Sequence, residues 1–330
     1  MKVLKQISTV LLFSCIQNTL YASDVVNFVV MGDMPYTQKD KETLKVLETA
    51  IPALAPKVLI HYGDLMSGAE SCTEALLSTR KEQIYSFLPR HAVYTPGDNE
   101  WVDCDRKHLT SRYAELERLD YLRNLFYEDE AMDLSADIDK IVRQKGQPAN
   151  SMWKIGNLLM GTLHIVGTNN GRVNILKNDV NKTLDEVDKR DANNLVWLKK
   201  LFDNAKNAEG LVVVFHADIY RFKGDAEACT KENRLKCNPY KNIREALKYL
   251  ALDYKKPVLV VHGDTHPYCF NQPYSEKVPN FWHLNGPGDF KVSDAAHIIF
   301  NVKNKERPFE VRGVLHPERP PLVCNYNRSK

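Results

Sequence analysis

Four aspartates, Asp33, Asp64, Asp98 and Asp264, each follow a glycine at the end of a run rich in valine, leucine, isoleucine or phenylalanine. The segments are FVVMGDMPY (28–36), VLIHYGDLM (58–66), AVYTPGDNE (92–100) and VLVVHGDTH (258–266), and a fifth run, LVVVFHAD (211–218), ends in His216. Carboxylate oxygens are hard donors and imidazole suits several divalent ions, so side chains of this kind brought together would bind metal. One Gly-Asp pair alone is ordinarily a turn or a helix cap. Four of them with a strand-end histidine are the pattern of ligands converging on one site from several strands.

Positioning such ligands requires strands buried on both faces, and the near-continuous apolar runs read that way. Between them lie segments with helical spacing. Residues 39–51 place Leu44, Leu47 and Ile51 on one face before Pro52, and 71–88 and 110–127 repeat the pattern after a Gly-Asp turn. Residues 128–150, acidic and then basic with Gly146 and Pro148, read as a surface excursion. The stretch 151–170 reads as a hairpin turning near Gly156-Asn157, opening a second sheet. A helix over 182–207, another over 241–254, a strand at 257–263 and C-terminal strands including 296–302 complete a two-sheet plan. No internal repeat or low-complexity tract interrupts it.

With 330 residues, 43% hydrophobic and 26% charged, the composition is that of a globular chain, and a net charge of +3 spread over the sequence gives no nucleic-acid or membrane-surface footprint. The first 22 residues, with Lys2 and Lys5 before Val10-Leu11-Leu12-Phe13, read as a removed export signal, leaving 23–330 as a single domain in the periplasm or outside the cell. A lipid anchor on Cys15 is the less favoured variant. No other run approaches the ~18 apolar residues a membrane span needs. Once Cys15 leaves with the signal, Cys72, Cys104, Cys229, Cys237, Cys269 and Cys324 remain, an even set suited to an oxidising compartment. Six cysteines allow about 15 pairings. The expected ones are Cys72 with Cys104, each shortly after a Gly-Asp turn, Cys229 with the nearby Cys237, and Cys269 with Cys324.

The order of these motifs, over about residues 25–300, resembles the D-x-H, G-D, G-N-H-E, strand-borne His and G-H-x-H signature of calcineurin-like metallophosphoesterases. The resemblance implies a four-layer αββα sandwich, two mixed sheets flanked by helices, with two divalent ions (Mn, Mg, Ca, Fe or Zn) at the strand ends. It implies Asp33 and His266 on a first ion, Asp64 bridging, and Asp98, His216 and Asp264 on a second. The implied function is hydrolysis of a small phosphorylated substrate, a mono- or diester, by a monomer through two-metal activation of water, with Asp64 and Asn99 in the catalytic roles. The alternative is a catalytically impaired protein that holds metal or phosphate on the same scaffold.

The departures from the pattern carry chemistry of their own. Pro35 stands where the family has a ligating histidine, with Tyr36 next to it as a candidate to reach in. Asp98 replaces a ligand amide, Asp264 replaces an imidazole, and Asn99 replaces the usual catalytic histidine. Exchanging neutral ligands for carboxylates lets manganese, magnesium or calcium compete better against zinc than at a histidine-rich site. Losing a proton donor commonly costs ~100-fold or more, least for good leaving groups. Asn169 and Asn170, ending a strand beside the expected site, are candidates to contact substrate phosphate, although Asn-Asn-Gly is also a turn sequence. Asp218 is placed to orient His216. His61 and His262 either support a ligand carboxylate or are hydrogen-bonded core, and His91, His108, His164, His283, His297 and His316 read as structural.

Overall fold

The structure is a computed structural model that describes residues 24–128, 138, 140–220, 226–265 and 267–325. The expected signal at 1–22 and the candidate ligand His266 lie outside the described residues. In chain order the strands are β1 (Val25–Met31), β2 (Leu59–His61), β3 (Ala92–Tyr94), β4 (Val142–Gln144), β5 (Gln147–Ile155), β6 (Leu158–Thr162), β7 (Gly210–Val214), β8 (Val258–His262), β9 (Cys269–Asn271), β10 (Phe281–Asn285), β11 (Ala296–Asn301) and β12 (Phe309–Gly313).

They form two mixed sheets, in the orders β12-β11-β1-β2-β3 and β4-β5-β6-β7-β8-β10-β9. Strands β1, β2 and β3 are mutually parallel, as are β6, β7, β8 and β10, while antiparallel strands close the edges. The two-residue side-chain period of a strand sorts each run into two cores. Phe28 and Val30 meet Val212, Val214, Leu259 and Val261 between the sheets. Val29 and Met31 instead pack on Leu44, Leu47 and Ile51 of the helix Gln38–Ala53 and on the helices Glu74–Phe87 and Glu115–Tyr127. On the far face, Leu211 and Val213 pack on Leu198, Leu201 and Leu247 of the helices Val180–Ala205 and Lys241–Tyr254. The result is the four-layer sandwich, helices outside and sheets inside.

Local chemistry sets the helix starts. Thr37 caps the first helix by accepting from the Asp40 N–H, and Asp40 reaches back to the Thr37 and Tyr36 N–H groups, a capping box that also fixes the turn bearing Tyr36. Thr73 caps the second helix in the same manner, so it begins at Glu74 rather than at 71. Pro52 does not end the first helix at 51; it sits in the last turn, which is closed by the Leu54 N–H on Ile51 O (3.1 Å) and the Ala55 N–H on Pro52 O (2.9 Å). The described part of 128–150 is likewise not all loop. Gly146, with φ +78°, turns β4 back onto the start of β5, and Pro148 lies beyond the part of β5 that pairs with β6, so its missing N–H costs that ladder nothing.

All six cysteines are paired as anticipated: Cys72–Cys104, Cys229–Cys237 and Cys269–Cys324. Among the described residues no helix is long and apolar enough to cross a membrane.

Candidate metal centre

Because β1, β2 and β3 run parallel, and β7 and β8 likewise, the turns at their C-terminal ends gather at one edge of the sandwich. Backbone bonds stitch those turns together: Asp33 N–H to Gly63 O (3.1 Å), Thr95 N–H to His61 O (3.0 Å) and Gly263 N–H to His216 O (2.9 Å). Asp33, Asp64 and His216, all buried, are thereby brought to where one ligand atom of each lies within 4.8 Å of the others. His216 Nε2 is 3.4 Å from Asp64 Oδ1 and 2.9 Å from Asp98 Oδ1, which adds Asp98 to the cluster. Asp264 lines the same cleft; its N–H donates to Asp33 Oδ2 (3.1 Å) and its carboxylate accepts from the Asp218 N–H (3.4 Å).

His216, assigned by resemblance to a second ion with Asp98 and Asp264, lies nearest Asp98 (2.9 Å) and also groups with Asp33 and Asp64. Its Nδ1 is 3.2 Å from the carbonyl of Tyr62, on the turn after β2, and that contact turns the ring toward the first sheet. The Asp218 carboxylate accepts from the Tyr220 N–H (2.9 Å) and lies 3.9 Å from His262.

Close approach of backbone to carboxylate explains two of the glycines. A Cβ on Gly97 would fall 2.1 Å from Asp64 Oδ1, and one on Gly263 would fall 2.0 Å from Asp33 Oδ2. Glu100, fully buried, accepts from the Asp64 N–H (3.2 Å), the Gly97 N–H (2.8 Å) and the Tyr94 hydroxyl (2.7 Å), tying the β2 and β3 turns to each other. Asp33, Asp64, Thr168, Asn169, Asn170, Asp264, Asp289 and Phe290 all have left-handed φ, between 46° and 81°. Each such residue costs on the order of 1–2 kcal/mol, and strain of this kind concentrates at binding and catalytic sites.

The charges around the cluster fit a cation. Burial pushes the Asp33 carboxyl up to about 7 and, reinforced by Asp98 and Glu100, holds Asp64 well above the carboxylate range. Burial alone would lower His216, but the carboxylates of Asp64, Asp98 and Asp33 hold it well above an ordinary histidine. Its Nε2 points between two carboxylate oxygens without a hydrogen bond of sound geometry to either. Three buried carboxylates and an inward-facing imidazole nitrogen are the donor set of a divalent ion, which would neutralise them and leave Nε2 as a ligand.

Tyr36 is the residue that turns inward beside Pro35. Its hydroxyl donates to Asp64 Oδ2 (2.6 Å), lies 3.3 Å from Asp33 Oδ1 and accepts from Asn99 Nδ2 (3.2 Å). Asn99 also donates from its backbone to Asp64 Oδ1 (3.0 Å) and from its side chain to Met66 O (3.0 Å). Contacts that orient a ligand carboxylate are commonly worth 10–100-fold in metal affinity. Tyr36→Phe is therefore expected to weaken metal binding by about that factor, read by isothermal titration of the stripped protein, with its far-UV spectrum unchanged. An affinity equal to wild type would remove Tyr36 from this role.

Above the cluster opens a cleft of ≈ 800 Å³. Asp64, Asp98, Asn99, Asn169 and Asp264 line it, whereas Asp33, His216 and Asn170 do not. The Asn170 side chain is held below, donating to Asp191 (2.6 Å) and accepting from the Val166 N–H (3.2 Å) and Arg190 (2.9 Å), so it shapes the left-handed turn that presents Thr168 and Asn169. Thr168 donates to Asp98 Oδ2. His61 and His262 are core: burial lowers them to about 3 and about 4, and each holds a neighbouring turn through Nδ1.

His108, read as structural, lines the cleft, as do Asp103, Arg106, Tyr240, Asp289 and Phe290, none of which stood out in the sequence. Asp289 and Phe290 carried a usable signal. They end FWHLNGPGDF (281–290), a sixth apolar run closed by Gly-Asp, and β10 is parallel to β8. Asp103, Arg106 and His108 lie on the loop that the Cys72–Cys104 bond pins after β3 and had no comparable mark.

Among solved structures the chain is similar to GAP50, the anchor in the inner membrane complex of Plasmodium, at 11% identity and a TM-score of 0.46, covering 91% of this chain and 90% of that one. It is also similar to a phosphatase of Mycoplasma pneumoniae at 12% identity and a TM-score of 0.38, covering 93% and 97%. No curated protein matches significantly. The family model for calcineurin-like phosphoesterases matches residues 12–268, a span that holds the Gly-Asp turns of Asp33, Asp64, Asp98 and Asp264, and the chain belongs to that family.

Proposed function

We propose that the protein is an exported, metal-dependent phosphoesterase that hydrolyses a phosphate mono- or diester in the cleft above Asp33, Asp64 and His216. The observation that carries this reading is the convergence of those three buried side chains, with Asp64 reaching the cleft wall. In the full proposal Asp98, Asp264 and His266 complete the ligand set for a second ion, as the family pattern implies. Bound divalent ions would polarise the phosphoryl oxygens and acidify a water.

The chain's own groups do the positioning. Asp64 is fixed from both sides, by the Tyr36 hydroxyl and the Asn99 N–H, and cannot rotate out of the cluster without losing both bonds. The Asn99 amide lines the cleft, but both of its N–H groups are engaged, on the Tyr36 hydroxyl and Met66 O, and it has no proton to release to a leaving group. Arg106 adds a cationic group to the wall, held by Asp103. Esters with acidic leaving groups are the ones such a site hydrolyses best. The three disulfides suit an oxidising compartment, which agrees with residues 1–22 acting as an export signal.

The test is the mature protein, stripped and reloaded with manganese, magnesium, calcium or zinc and assayed on aryl phosphate mono- and diesters. Turnover is expected, with manganese, magnesium or calcium competing well against zinc because the ligands are mostly carboxylates. Stoichiometric metal binding with no turnover on any ester would favour the second reading, a metal- or phosphate-binding protein, which the replacement of a proton donor by Asn99 already makes the natural rival.

A further inference from the structure

Phe290 lines the cleft and is 65% exposed. An exposed large apolar side chain is unremarkable when isolated on a surface, but this one is built into the site. Its ring centroid lies 4.8 Å from that of Tyr36, at 50°. The Tyr36 ring is itself fixed by its hydroxyl on Asp64, so the Phe290 ring stands one side chain away from the acidic cluster. Backbone conformation holds it there against its own preference. Asp289 and Phe290 both adopt left-handed φ, 46° and 59°, which a bulky residue avoids unless its surroundings impose it. The surroundings are specific: the Asp289 N–H donates to Asp33 O (3.2 Å), and a Cβ on Gly288 would fall 2.5 Å from Asp33 Cβ, so the turn after β10 is pressed onto the Asp33 turn.

Building on the phosphoesterase reading, we propose that Phe290, backed by Tyr36, is a stacking platform for a planar aromatic ring in the substrate. The favoured substrates are then aryl or nucleoside phosphate esters, with the phosphoryl group over the carboxylate cluster and the ring on Phe290. The chemistry suits the rest of the site. A ring-bearing alcohol is a better leaving group than an alkyl one when the oxygen sits on the ring, which matches a cleft whose Asn99 cannot protonate it. A ring also offers a flat face to an aromatic side chain whatever its edge substituents, so stacking selects for the ring without reading its hydrogen-bonding pattern.

The test compares kcat/KM for phenyl phosphate, a nucleoside monophosphate and glycerol phosphate in the metal-loaded full chain and in Phe290→Ala and Phe290→Trp. The aromatic-to-alkyl ratio of kcat/KM is expected to fall about tenfold in Phe290→Ala, the usual size of a lost base–aromatic stack, and to be kept in Phe290→Trp. Loss confined to the phenyl ester would place the ring directly on the phosphate oxygen, and loss confined to the nucleotide would place it beyond the sugar. An unchanged ratio, or one that falls equally in Phe290→Trp, overturns the proposal. Calorimetric binding of benzylphosphonate against propylphosphonate, with the same variants, reads the ring preference without hydrolysis. A chain that hydrolyses no ester yet prefers benzylphosphonate through Phe290 would refute the enzyme and keep the platform; one that hydrolyses all three esters with no ring preference would do the reverse.

Discussion

Asp64→Asn is expected to lower kcat/KM for an aryl phosphate by on the order of 10²- to 10³-fold and to abolish the rise in Tm that added manganese produces in the wild type. Two properties of the site make the effect this large. Asp64 is one of three buried donors whose ligand atoms lie within 4.8 Å of one another, and its Oδ1 is 3.4 Å from His216 Nε2. Its two oxygens accept from groups on opposite sides, Tyr36 at 2.6 Å and the Asn99 N–H at 3.0 Å. An amide has a single acceptor oxygen, so with that oxygen on the Asn99 N–H its NH2 faces Tyr36, whose hydroxyl must turn from donor to acceptor, and the bond it gave to the carboxylate is lost. Differential scanning of the stripped and reloaded variant separates the two losses. A variant with near-wild-type, metal-dependent turnover would remove Asp64 from the centre of the site.

Removing the Cys72–Cys104 bond as Cys72→Ala/Cys104→Ala is expected to cost about 3–4 kcal/mol of stability, because the bond closes a loop with a sequence separation of 32. The same change at Cys229 and Cys237, separated by 8, should cost roughly 2–3 kcal/mol. Urea unfolding of the oxidised proteins measures both, and equal costs would show that freedom of the unfolded chain is not what the first bond restrains. Function should suffer more from the first pair than from the second. Cys72 Sγ lies 3.3 Å from the carbonyl of Asn99, and the Cys104 side leads into the loop carrying Arg106 and His108. Of these two disulfides, Cys72–Cys104 is the one that joins the two turns that flank Asp64 and Asn99.

Much of the scaffold was legible because it is local. The helix Lys241–Tyr254 has the limits its spacing predicts, and strands β7 and β8 end where the apolar runs stop. Periodicity, capping residues and Gly-Asp punctuation act over a few residues, and their energies do not wait for the rest of the fold. The cysteine pairs were legible for a related reason: two of them bracket features already fixed by those local signals. Where local signals misled, a long-range contact had prevailed. Asn-Asn-Gly at 169–171 reads as an exposed turn, yet Asn170 is drawn under it by Asp191 and Arg190.

By itself, then, the sequence determined that apolar strands end in carboxylate and imidazole turns, that two sheets carry them, and that the usual histidines are replaced by Pro35, Asn99 and Asp264. Tertiary structure decided which of those side chains meet. His216 joins Asp33 and Asp64 because the carbonyl of Tyr62, 154 residues away, takes its ring nitrogen; Tyr36 enters because a capping box fixes its turn; and Phe290 faces the cleft because the β10 turn is pressed onto Asp33. Such contacts depend on how the two sheets face each other, and no spacing along one chain encodes that distance.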